Sequence, residues 1–423
     1  MRNRILSLLT LVTLATVIAV LPIIGAGCAA ESKEGKTLKI GMLTPATGPV
    51  ADKGMAGRDG ILDAVKYIND ELGGIEGYKI EAVYRDSGYD ATKVVNYVKE
   101  FMDLKCLMFT THASTEMSYA QGIANDAGFP GLVTYASPVN YRPPAHIYGQ
   151  APDYGDDFGT FATYYMQNIW KGTGKPKVAL LGLNNPTGKG AKDGAMAVAD
   201  KLGMELLPPE EHASTTISEM ESLTRVKAAN PDLIFISSTP APSAVIMRNL
   251  RDLKMYPGVT VAMAHASFVQ AVVTQAGADV VEGVYGVFPT ATWNDNIPAV
   301  AKAKEYAEKY NPKDVNSADY LSTWTSAMIA AEILRNAVKN VGYDKLAKGD
   351  AEAWKAIEEQ GIQKLNGYNV EGLQGPVKYT PGDNRLDKLL KVFQIKNGTI
   401  TALTDWIEAP LIKYEEFDWF GKK

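Results

Sequence analysis

Lys39-Ile-Gly-Met-Leu43, a glycine-rich turn and an amphipathic stretch from Gly54 recur in the same order as Lys177-Val-Ala-Leu-Leu-Gly182, a second glycine-rich turn and a stretch from Gly190. A short apolar run followed by apolar residues at helical spacing is a strand–turn–helix unit. Working outward, further short apolar runs bounded by turn residues predict strands at 38–43, 79–84, 107–110, 131–135, 178–182, 233–237, 259–264 and 284–288. Helical spacing predicts helices between them: 54–69, with Ile61, Leu62, Val65 and Ile68 on one face, 94–102, and the longest at 321–338. Alternation of this kind builds parallel βαβ sheets. The repeat predicts an α/β fold of two doubly wound parallel-sheet lobes, whose ligand site lies beyond the carboxyl ends of the strands. From Gly375 the pattern changes to short strands and turns, at 375–382, 389–395 and 398–401, which would complete one lobe. The aromatic stretch 406–423 has no predicted place.

Composition narrows the function. The 423 residues carry 43 Lys and Arg against 48 Asp and Glu, a formal charge of −5, and only 2 Cys. That length buries a core without disulfide staples. No basic tract follows a phosphate backbone, so nucleic acid is not an expected partner. At the N-terminus Arg2 and Arg4 precede a charge-free run from Ile5 to Ala30, the pattern of an export signal. Its end, Gly25-Ala-Gly-Cys28 followed by polar residues, resembles the bacterial lipoprotein signal, although Gly25 stands where that signal usually has Leu. The resemblance implies cleavage after residue 27 and a lipid on Cys28; an uncleaved membrane anchor is the alternative. Cys106, in an apolar run, is expected to be packed as a small hydrophobe.

Catalytic signatures are missing. The segment Thr187-Gly-Lys-Gly190-Ala-Lys-Asp-Gly194 has GxGxxxG spacing and no well-placed acidic residue after it, so a strand-to-helix turn is expected there and a nucleotide site is not. His112, His146, His212 and His265 have no metal-ligand spacing, and no cofactor or metal is expected. Four predicted strand ends are nevertheless polar beyond what packing requires: Thr111 to Glu116, Tyr135 to Ser137, Ser237 to Thr239, and His265 to Ser267. Ser114 and Thr115 open a helix, where backbone N–H groups and hydroxyls suit a carboxylate; Ser114 as a simple helix cap is the alternative.

The stretch Ile40-Gly-Met-Leu-Thr-Pro-Ala-Thr-Gly48-Pro-Val-Ala-Asp-Lys-Gly54, with Gly73-Gly-Ile-Glu-Gly77 and Tyr84-Arg-Asp86, resembles the type I periplasmic solute-binding proteins of ABC transporters, branched-chain amino acid group. The resemblance spans nearly the whole chain after residue 37. It implies two lobes joined by three hinge crossings, closing on a small solute and presenting it to a membrane permease. Carried over residue by residue, it places Ser114 at the ligand carboxylate and Ser137 at its polar head, with Ala113 and Tyr135 at adjoining backbone-contact positions. Lys53, Thr187 and Thr239 stand where leucine/isoleucine/valine binders carry aromatic residues, and Tyr320 at an aromatic pocket position. His265 replaces the acid that pairs with the ligand ammonium.

That last departure predicts a carboxylate or amide without an α-amine, because an ammonium closed into the cleft would be an uncompensated buried charge; a neighbouring Asp or Glu supplying the charge is the alternative. The implied division is 1–27 signal, 28–37 tether, 38–152 plus 289–372 as one lobe, 153–288 plus 373–410 as the other, and 411–423 as a tail. Hinges are expected near 150–155, 287–290 and 369–375. The expected protein is a monomer outside the cytoplasmic membrane, touching it only through its lipid. A ligand sensor, or a hydrolase using His112 or His265, are the rival readings.

Overall fold

The computed structural model describes residues 32–421, so the export-signal reading, with Cys28, lies outside the described residues. The chain begins β1 (Thr37–Thr44), α1 (Ala51–Asp70), β2 (Lys79–Asp86), α2 (Ala91–Asp103), β3 (Met108–Thr111), α3 (Ser114–Ala127), β4 (Gly131–Val133) and β5 (Ile147–Gly149). It continues α4 (Tyr154–Tyr164), β6 (Lys177–Leu183), α5 (Pro186–Val198), β7 (Glu205–Leu206), β8 (Glu210–His212), α6 (Met220–Ala229), β9 (Leu233–Ser237), α7 (Pro240–Asp252), β10 (Thr260–Met263), α8 (Gln270–Ala276), α9 (Ala278–Val281) and β11 (Tyr285–Phe288). It ends with α10 (Pro298–Tyr310), α11 (Ala318–Val341), α12 (Tyr343–Leu346), α13 (Ala351–Gln360), β12 (Asn366–Tyr368), β13 (Val377–Lys378), β14 (Leu389–Lys396), β15 (Thr399–Ala402) and β16 (Ile407–Glu408).

The sequence repeat becomes a repeat of topology. The first sheet runs β2-β1-β3-β4-β5, all parallel. In the second, β6 lies between β9 and the short β7 and β8, and β9 leads on to β10 and β11, the same order with β6 in the place of β1. Parallel strands buried on both faces need apolar side chains throughout, and Leu233–Ser237 is buried at every position. One departure is antiparallel: β14 pairs with β11, and β15 and β16 pair with β14, so the late strands finish the second sheet.

Helices cover both faces of each sheet. On one face of the first, Ile40, Met42 and Met108 pack with Ile61 of α1 and Trp324 of α11; on the other, Leu43 and Phe109 pack with Phe101 of α2 and Met117 of α3. The α1–α11 contact is close because Gly60 has no side chain, a Cβ there falling 2.2 Å from the Tyr320 carbonyl oxygen. In the second sheet Leu180 and Phe235 face α4 and α5, while Leu181, Ile234 and Ile236 face α6 to α8. Cys106 is fully buried, and burial pushes its thiol up to about 12, so it is packing material. The segment after Trp406 has a definite place: Ala409, Ile412 and Tyr414 are buried in the second sheet's core, so 411–421 is docked there and is not a free tail.

The chain passes between the sheets three times, after β5, after β11 and before β14. The three crossings lie side by side. Gln150 and Gln374 exchange amide hydrogen bonds of 3.1 and 3.2 Å, and Thr290 bridges to Gln374. No helix among the described residues is long and apolar enough to cross a membrane.

Candidate functional site

The carboxyl ends of both sheets face one another across a small cavity of about 30 Å³, space for about one water molecule. Lys53, His112 and Ala113 line it from the first sheet's side, and Tyr154, Thr187 and Thr239 from the second's. Of the expected site residues, Ala113, Thr187 and Thr239 line this cavity.

Helix α3 starts at Ser114, one residue earlier than a Ser114 cap would require. Ala113 is the residue before it, and its N–H is held by the Glu116 carboxylate of the first turn at 3.0 Å. Ser114 is thus the first helical residue, and its hydroxyl lies 3.5 Å from that of Thr187 in the other sheet's α5. Thr115 accepts the Tyr89 hydroxyl at 2.7 Å. Burial pushes that phenol up to about 12, so it stays a neutral donor. First-turn N–H groups have no intrahelical acceptor, which leaves this helix end a favourable place for negative charge.

Two histidine–carboxylate pairs flank the cavity. On the first side His112 Nε2 is 3.0 Å from Asp319, which Lys53 also holds at 2.9 Å. Burial raises the Asp319 carboxyl, but Lys53 and then His112 outweigh it and bring the pKa to about 2, so Asp319 is ionised. On the second side His265 Nδ1 is 2.8 Å from Asp157, whose carboxylate also accepts the His265 backbone N–H at 3.0 Å. There burial dominates and the Asp157 pKa is raised. Tyr135 joins the two halves: its ring lies 5.3 Å from His112 and 5.1 Å from His265, Lys53 sits 5.5 Å over it, and its hydroxyl donates to Ser322 at 3.0 Å. Tyr154 stacks on His265 at 4.6 Å.

Four buried polar atoms at these strand ends have no hydrogen-bond partner among the described residues: Thr111 Oγ1, His112 Nδ1, Ser137 Oγ and His265 Nε2. Such atoms are costly to leave unpaired in an interior.

Tyr320 does not join them. Its hydroxyl donates to Asp63 at 2.8 Å and its ring packs with Trp293 and Trp324 in the first sheet's core, so the expectation of a pocket aromatic there is not met. Sequence reasoning in turn missed Asp157, Asp319 and Tyr154 as members of the site. The glycines of 187–194 have a packing role: a Cβ on Gly190 would lie 2.8 Å from Ser137 Oγ, and one on Gly194 2.4 Å from Gly155, so they let α5 close against α4 and the Ser137 turn.

The family model described as periplasmic binding protein matches residues 37–399. A Leu/Ile/Val-binding protein homolog 7 from Brucella suis is 23% identical over 82% of this chain and 87% of its own length. A leucine-, isoleucine-, valine-, threonine- and alanine-binding protein from Pseudomonas aeruginosa is 34% identical over 23% of this chain and 28% of its own length. Among solved structures, a branched-chain amino acid ABC transporter protein from Thermus thermophilus with bound valine superposes with TM-score 0.79 at 19% identity, covering 90% of this chain and 98% of that one. A fatty acid ABC transporter substrate-binding protein from Thermomonospora curvata superposes with TM-score 0.74 at 19% identity, covering 90% and 94%.

Proposed function

This chain belongs to the periplasmic binding protein family, and on that premise we propose that it captures a small carboxylate or amide between its two lobes and delivers it to an ABC permease. The observation that carries the reading is the convergence of Lys53, His112, Ala113, Tyr154, Thr187 and Thr239, from both sheets, on one cavity. No covalent chemistry is needed. Contacts made from both sides favour closure by their differential affinity for the closed form.

The head group sits between Lys53 and the start of α3, with Ser114, Thr115, Ser137 and Thr187 offering hydroxyls. A lysine ammonium carries three donors, and Lys53 does not use all of them on Asp319. Three nearby carboxylates are engaged, Asp319 by Lys53 and His112, Asp157 by His265, and Glu116 by the Ser87 hydroxyl and the Ala113 N–H. Their engagement supports a solute without an α-amine. The lobes move as 38–152 plus 289–372 against 153–288 plus 373–410, with the side-by-side crossings at Gln150, Thr290 and Gln374 as hinge. The protein works outside the cytoplasmic membrane as a lipid-anchored monomer tethered at Cys28, which raises its effective concentration near the permease.

Calorimetric titration with leucine, valine, a short amide, urea and benzoate tests this reading. Binding of the amide or carboxylate with weak or absent leucine binding is expected; tight leucine binding would overturn the head-group assignment.

A further inference from the structure

The 30 Å³ cavity has a neighbour with which it shares Lys53. Lys53 also lines a cleft of about 360 Å³, together with Asp319 and Pro240, the residue after Thr239. That cleft shares Val269, Gln270, Asn316 and Ala318 with a chamber of about 340 Å³. The apolar part of the chamber wall is Phe268, Val269, Phe288, Ala291, Trp293 and Ile400. Phe268, Phe288 and Ala291 are buried even though they border open space. Three parts of the fold meet here: the β10–α8 connection, the crossing that follows β11, and the β14–β15 turn. The amides of Asn294 and Asn316 also line this space.

A cation at one end and an apolar chamber at the other match one kind of molecule. We propose that the solute is an amphipathic monocarboxylate, its head at Lys53 and its apolar body running through the cleft into the chamber. This rests on the head-group reading above. At the ~30 Å³ that a water-sized group occupies in a liquid, the chamber holds a body of roughly ten non-hydrogen atoms. Because the wall includes Phe288, Ala291 and Trp293 at the second lobe crossing, a body lodged there also contacts the segment that bends when the lobes close.

Calorimetric titration of the protein with acetate, butanoate, hexanoate and octanoate, and with 1-octanol as the headless control, tests the proposal. Each buried methylene is expected to tighten binding about fourfold from butanoate to octanoate. Ile400→Trp, on a surface hairpin, should remove the gain for octanoate and leave acetate unchanged; Asn294→Trp at the exposed rim is the second variant and should act in the same direction. Short carboxylates binding with no dependence on chain length would overturn the chamber assignment and leave the head group standing. Octanol binding as tightly as octanoate would overturn it too, since the chamber would then act without Lys53. No binding by any carboxylate would overturn this inference, and with it the carboxylate form of the head-group reading; the amide form is decided by the titration with a short amide and urea.

Discussion

His112 follows β3 in the first sheet, and His265 follows β10, the counterpart of β4, in the second; each is paired with a buried aspartate from a helix. They differ in what else that aspartate touches. Asp319 has Lys53 as a second cationic neighbour and is held near 2; Asp157 has only His265 and a backbone N–H, and burial raises it. One half of the repeat thus carries a fixed ion pair and the other a carboxylate whose charge is poorly supported. Duplicated architecture with unequal charge gives the cleft a direction, so a solute with a distinct head is held one way round.

The largest expected effect comes from removing the feature that makes the halves unequal. Lys53→Ala leaves the Asp319 carboxylate, 9% exposed, with His112 alone. Loss of one partner of a buried pair costs about 3–5 kcal/mol, and partial exposure reduces that to about 2–3 kcal/mol here, readable by urea denaturation. Solute affinity should fall at least tenfold in the same variant.

The pH dependence of stability should then have opposite signs for the two aspartates. Asp319 has a folded pKa below its unfolded value, so it contributes stability that is present above about 4 and lost as pH falls towards 2. Asp157 has a raised folded pKa, so its contribution is most favourable at low pH and declines as pH rises above the ordinary carboxylate range. Denaturation midpoints measured from pH 3 to 8 should show Asp319→Asn losing stability chiefly above pH 4. Asp157→Asn should flatten the decline on the alkaline side. Equal slopes for both variants would break the comparison.

Tyr135→Phe is the smallest expected change. It removes the hydroxyl bond to Ser322 and keeps the ring between the histidines, for about 1 kcal/mol of stability. Thermal unfolding measures it, and a loss above about 3 kcal/mol would mean that the phenol does more than tie Tyr135 to α11.

The architecture was legible because buried parallel strands must be apolar throughout. The predicted strand 233–237 coincides with β9, and the Lys39 and Lys177 units fold as equivalent strand–helix pairs. Strand β4 ends at Val133, two residues early, because the chain leaves the sheet where Thr134 and Tyr135 enter the cleft region. Helix α4 escaped notice because Tyr154 to Ala162 is buried at every position and so has no polar face to mark a period. The hydroxyl and histidine residues of the site were readable as polar ends on apolar runs. Asp157 and Asp319 were not, since an acidic residue near a helix start reads as solvated until the opposite lobe or helix is seen to cover it. Tyr320 failed for the converse reason: position within the family pattern does not reveal that Asp63 captures its hydroxyl.

On the proposed function the solute lies between the sheets at Lys53 and Thr187. Mass spectrometry of the small molecules released from purified protein, wild type beside Thr187→Trp, tests it most directly. The expected result is a carboxylate- or amide-bearing molecule in near-equimolar amount from the wild type and its loss from the variant, whose indole fills the cavity. The same molecule retained in full by Thr187→Trp, or a released molecule with neither a carboxylate nor an amide, would contradict it.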